Sequence, residues 1–81
     1  MIKQEQYDVM FRFFHDCVRY WERELKTNSD IDKQPYINAI AEIPHNNPYK
    51  PNGEPLDEDV RKQFYEDRMM DTYGTDWRNY A

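Results

Sequence analysis

Among the side chains that commonly carry catalysis, this sequence offers two histidines and one cysteine. The adjacent pair His15-Asp16 has the ligand types that hold a divalent metal for phosphate-ester hydrolysis. Such a site needs several more His and Asp ligands on other helices, and His45 is the one histidine left. Neighbours on a helix also point roughly a quarter-turn apart, so the pair does not converge on one ion. His15 is therefore read as solvated or hydrogen-bonded, and no metal or cofactor is expected. Cys17 has no second cysteine to pair with, and it falls on an apolar helix face, where a thiol is ordinarily buried and inert. The sequence has no nucleophile–base pair, glycine-rich phosphate loop or paired ligand spacing, so an enzyme is not expected.

Charge points the same way. Arg12, Arg19, Arg23 and Lys26 form a basic line that could clamp phosphates, but Asp8, Asp16 and Glu22 lie among them. Asp8–Arg12, Arg12–Asp16 and Asp16–Arg19 have the spacing of helical ion pairs, so a salt-bridged solvent face is the expectation. The net charge is −5, and residues 54–81 hold eight acids against four bases. An acidic chain without clustered Lys and Arg is poorly held by a nucleic-acid backbone or an anionic membrane. The acids near the C-terminus could imitate a phosphate ladder only on one continuous face. On a helical wheel they spread round the axis and are interrupted by Arg61, Lys62 and Arg68.

The residues best suited to recognition lie further along. Pro44 to Pro55 carries four prolines and the Asn52-Gly53 pair, which favour successive turns over regular structure. It presents His45, Asn46, Asn47, Tyr49, Lys50 and Asn52, a mixture that fits a ligand pocket, a protein-binding loop or a self-satisfied turn cluster. The following helix has a stripe of Tyr65, Met69 and Tyr73 four residues apart, separate from its Val60–Phe64 stripe. If Val60 and Phe64 pack inward, the second stripe faces away. Tyr and Met suit interfaces because they bring apolar area while tolerating water. His45, Asn47, Tyr49 and Lys50, together with Tyr65, Met69 and Tyr73, are therefore expected to form one partner-binding surface, rimmed by Glu66 and Arg68.

The elements that must position these residues begin with a long helix over about residues 4–26. Tyr7, Phe11, Phe14, Val18, Trp21 and Leu25 alternate at four- and three-residue steps, and Val9, Met10, Phe13, Cys17 and Tyr20 widen the face. Together they cover roughly 200° of the circumference, more than a surface helix needs, so this helix should be sandwiched. Trp21 sits at the centre of the line and is expected in the core. A short second helix over 34–42 follows, with Ser29, Asp30 or Asp32 as its cap and Pro35 in its first turn. The period-two alternation of Ile37, Ala39, Ala41 and Ile43 makes a strand the alternative. A third helix is expected from about 58 to 72, between an Asp57 cap and Gly74, and an aromatic tail over 75–81 completes the chain.

Eighty-one residues make one mainly α domain, near the lower size limit for a single unstapled core. The Met1–Glu5 start has no signal-peptide pattern and no stretch could span a bilayer, so a cytoplasmic setting is expected. These features point to a small acidic binder that inhibits or bridges another macromolecule, as compact accessory proteins of phages and mobile elements do against host defence factors. An oligomeric nucleotide sponge using Tyr49 and the arginine line, and a subunit completing a larger assembly, are the alternatives. The width of the first helix's apolar arc leads to the expectation of self-association or dependence on a partner protein. Sedimentation at low micromolar concentration checks it, and a stable isolated monomer would sink the idea.

Overall fold

Helices of an acidic chain this small are held by a few large rings, and the largest fully buried side chain here is Phe64. The computed structural model describes residues 3–28 and 30–80. Its three α-helices are α1 (Gln4–Leu25), α2 (Gln34–Glu42) and α3 (Glu58–Tyr73). Short 3-10 turns follow α2 at Ile43–His45 and α3 at Gly74–Asn79. The fold is mainly α, as the apolar periodicity indicates.

Each helix ends where its sequence supplies a reason. Lys26 closes α1 in a left-handed conformation (φ 53°), with its N–H on the Arg23 carbonyl and that of Thr27 on Glu22. That bonding pattern is a Schellman cap built without glycine. The cap position of α2 falls to Lys33, which makes no side-chain cap bond, and neither Asp30 nor Asp32 holds it. Asp32 Oδ1 accepts the Gln34 N–H at 2.9 Å from one residue earlier, and Asp30 sends its own N–H to Asn28 Oδ1. Ser29 lies outside the described residues. Pro35 stands in the first turn of α2 and is buried. Residues 37–42 are helical, so the strand alternative fails. Gly74 ends α3 at φ 82°, donating its N–H to the Met70 carbonyl.

The core gathers Met10 and Phe14 of α1, Ala39 and Ile40 of α2, and Phe64 and Met69 of α3, with Ile43, Leu56 and Trp77. Phe64 meets three rings of α1 edge-on: Tyr7 at 5.2 Å, Phe11 at 5.5 Å and Phe14 at 5.6 Å. Phe14 in turn meets Tyr36 of α2 at 5.1 Å. The sandwiching expected of α1 is partial. Its buried residues are Gln6, Met10 and Phe14, and Trp21 is half-buried where the core was expected to lie. Trp21 points within roughly 20° of Met10 on the wheel, so its direction is right. It stands in the C-terminal third of α1, beyond the last buried residue of that helix.

The outer stripe of α3 requires a second correction. Met69, expected to face away, is 4% exposed, whereas Met70 is 48% exposed. The tail is the cause. The Gly74–Asn79 turn folds back, burying Trp77 in the same cluster as Met69 and setting its ring edge-on to Tyr65 at 6.1 Å. α3 is thus covered by α1 on one side and by the tail on the other. Phe64→Ala should cost about 3–5 kcal/mol, and Trp21→Ala clearly less than a full core deletion. Urea unfolding of the two variants checks this; equal losses would return Trp21 to the core.

Candidate functional site

The proline-rich segment is more ordered than a succession of loose turns. Pro44 lies inside the Ile43–His45 turn, directly continuing α2. Pro48 to Leu56 then forms a small hairpin. Lys50 N–H bonds to Glu54 O at 2.7 Å, Gly53 N–H to Lys50 O at 2.9 Å and Leu56 N–H to Pro48 O at 3.2 Å. Pro51 and Asn52 occupy the corner, and Gly53 takes the left-handed φ of 87° that such a turn asks of the residue after it. His45 and Asn47 are exposed, and Tyr49 is 65% exposed on one strand of the hairpin.

Lys50 has an internal partner. Its ammonium lies 3.3 Å from Asp57 and 3.8 Å from Glu54. Asp57 holds the cap position of α3 by its backbone, accepting the Arg61 N–H, but its carboxylate makes no cap bond. It turns to Gln6, whose amide donates to Asp57 Oδ2 at 3.2 Å and accepts the Asp57 N–H at 3.1 Å. Lys3 approaches the same oxygen at 3.4 Å. These donors, Gln6 first and Lys50 next, hold the Asp57 carboxyl below its ordinary pKa. Gln6 was missed in the sequence; the available signal was a polar residue one helical turn before Met10 on the buried face.

The expected recognition surface is therefore not one piece. Met69 is in the core, and Tyr73 stacks on Tyr80 with ring centroids 4.9 Å apart. The hairpin carrying Tyr49 adjoins the start of α3, while Tyr73 ends it, about 24 Å away at 1.5 Å per residue. Arg68 faces the α1–α3 seam, not Tyr65: its guanidinium lies 5.0 Å from the Phe11 ring and 5.3 Å from Phe64, and 2.8 Å from Asp71. Glu66 is half-buried on α3. Tyr65 does reach the proline-rich segment, at its beginning. It lines a groove of about 340 Å³ with Ile43 and Pro44, along which Glu58, Arg61 and Lys62 are set.

Residues 42–46 also border a second groove, of about 460 Å³, against α1. Its wall is Phe13, Cys17, Tyr20 and Trp21, and its polar groups are Asp16, Glu42 and Asn46. Tyr20 is 53% exposed and is held edge-on to Trp21 at 5.5 Å. Burial pushes the Cys17 thiol pKa up, and the Glu42 and Asp16 carboxylates add to it. In the sequence this face pointed to self-association or a partner in general, and none of its residues was named as a binding site. The signal was there in the apolar arc of α1, which is wider than two short elements could cover.

Comparison of the chain with protein-family models, curated proteins and solved structures finds no match. The geometry has to carry the functional reading alone.

The remaining candidates stand apart. His15 and His45 are both exposed, on α1 and on the turn after α2. Arg12, Arg19 and Arg23 are exposed on α1, and among the described residues none of their expected pairs with Asp8 or Asp16 forms; Asp8 accepts from Gln4 Nε2 instead. Exposed pairs gain too little to hold two long side chains together. No described helix is long and apolar enough to cross a membrane.

Beside Arg68, Tyr7 donates its hydroxyl to Asp67 Oδ2 at 2.6 Å, and Gln63 Nε2 donates to the other oxygen at 2.8 Å. Burial first, and then the Asp67 carboxylate, push the Tyr7 pKa up to about 12. The folded value lies above the unfolded value of ~10, so this stabilisation is complete below pH ~10 and is lost as pH rises towards 12. Wild type should lose stability across that window more steeply than Tyr7→Phe, as thermal melts at stepped pH would record. Parallel curves would sink the assignment.

Proposed function

We propose that this chain is a non-enzymatic protein-binding module that inhibits or bridges another macromolecule. The observation that carries the reading is the groove in which Ile43 and Pro44 face Tyr65, with Arg61 and Lys62 along it. It is open, walled by apolar groups and set on two helical elements, so it is preorganised. An extended or helical segment of a partner can lie in such a groove, whereas a small molecule is better held where most of its surface is enclosed. Tyr49, exposed on a hairpin tied to Gln6 through Asp57 and Lys50, offers a further ring for contact. A stacking ring on a stiff support binds at low entropic cost, because few rotamers are lost.

Inhibition of a host factor by an accessory protein of a phage or mobile element is one form such binding takes, and composition supports it by analogy alone. The test is affinity capture from the native cell with wild type, Tyr65→Ala, Tyr49→Ala and Lys62→Glu. Wild type should retain a stoichiometric protein partner. Each variant should weaken it by more than ~1 kcal/mol while keeping its helical circular dichroism. Normal binding by all three folded variants would move the surface elsewhere. Calorimetry showing tight nucleotide binding, with no protein captured, would replace the module by the sponge.

A further inference from the structure

We propose that the groove between α1 and residues 42–46 receives a cationic segment of a partner protein, with an arginine or lysine carried beside an apolar residue. The proposal rests on the protein-binding reading but uses a different groove. Three rings, Phe13, Tyr20 and Trp21, wall the groove, and two carboxylates, Asp16 and Glu42, stand at it. No basic residue lines it, and among the described residues the ion pairs are all formed elsewhere. Cys17 lines the same groove as both carboxylates, and its thiol pKa is raised by burial first and by Glu42 and Asp16 in addition. Glu42 is not free to swing away. Asn46 Nδ2 donates to its carboxylate at 3.3 Å and to its backbone carbonyl at 3.0 Å.

Rings beside fixed negative charge are the chemistry that selects a cation. The ring faces attract an ammonium or guanidinium, the carboxylates neutralise it, and the apolar wall takes the neighbouring side chain. An acidic segment would place like charge against Asp16 and Glu42 and is disfavoured. A second copy of this chain is a poorer occupant, because its own net charge is −5. Across residues 42–46 the neighbouring groove carries Arg61 and Lys62 against the single acid Glu58. The two grooves therefore differ in sign, which would fix the direction in which a partner segment crosses the turn.

The probe is a short synthetic peptide alternating leucine with arginine and lysine, and its control has glutamate in place of each base. Titration of the full chain, followed by nuclear magnetic resonance, should shift the Trp21 indole N–H and the Tyr20 amide with the basic peptide only, and added salt should weaken binding. The isosteric double variant Asp16→Asn/Glu42→Gln keeps the shape of the groove and should bind about tenfold more weakly. No binding of the basic peptide, equal binding of both peptides, shifts confined to other residues, or an unaffected double variant would each overturn the proposal. So would groove resonances that move on dilution of the protein alone, because a second copy would then be the occupant. A native partner captured equally well by wild type and the double variant would sink this inference and leave the binding-module reading standing. Failure to capture any partner would sink that reading, while the peptide titration still decides the groove.

Discussion

The structure depends on one aromatic junction. Phe64 is fully enclosed and touches Tyr7, Phe11 and Phe14 of α1, while Phe14 carries the contact on to Tyr36 of α2. A chain with 38% apolar residues has few aliphatic side chains to spare, so large rings must supply the buried area. Edge-on packing suits this task because it lets several rings converge without stacking two faces of like charge distribution. Arg68 closes the outer side of the junction, lying over Phe11 and Phe64 and pairing with Asp71. Its aliphatic stem and planar head can cover apolar surface that a chain of this size has no further helix to cover.

A polar tether completes what the rings begin. The reciprocal bonds between Gln6 and Asp57, with Lys50 and Lys3 on the same carboxylate, join the start of the chain to residues 50–57, far along it. They fix the hairpin, the start of α1 and the start of α3 at one place. A buried amide meeting a backbone N–H and a carboxylate leaves none of these groups unpaired, which makes the arrangement specific as well as stable. The proline-rich segment is consequently a stiff platform, and its exposed groups are displayed from a fixed backbone.

The proposed binding role rests on what the core leaves uncovered. α2 and the turn after it are too short to span the apolar arc of α1, so Phe13, Tyr20 and Trp21 remain at an open groove. The same turn borders the Tyr65 groove on α3. One rigid corner of the molecule thus borders two ring-walled grooves of different charge, an arrangement suited to reading both the shape and the direction of a bound segment.

The sequence by itself determined the local structure. The spacing of apolar residues located three helices, Pro35 and Gly74 marked a helix start and a helix end, and the width of the α1 face called for cover on more than one side without saying what supplies it. Those are properties of neighbours along the chain, and periodicity reports them directly. The tertiary structure decided how each face was used. Met69 became core because the tail returned with Trp77, and Trp21 packs against the edge of the cluster and stays half-buried. Gln6 gained its role only when residue 57 was brought to it, fifty-one positions away along the chain. A wheel gives the direction in which a side chain points, but what it meets depends on the length and placement of other elements, and that information exists only once the helices are packed.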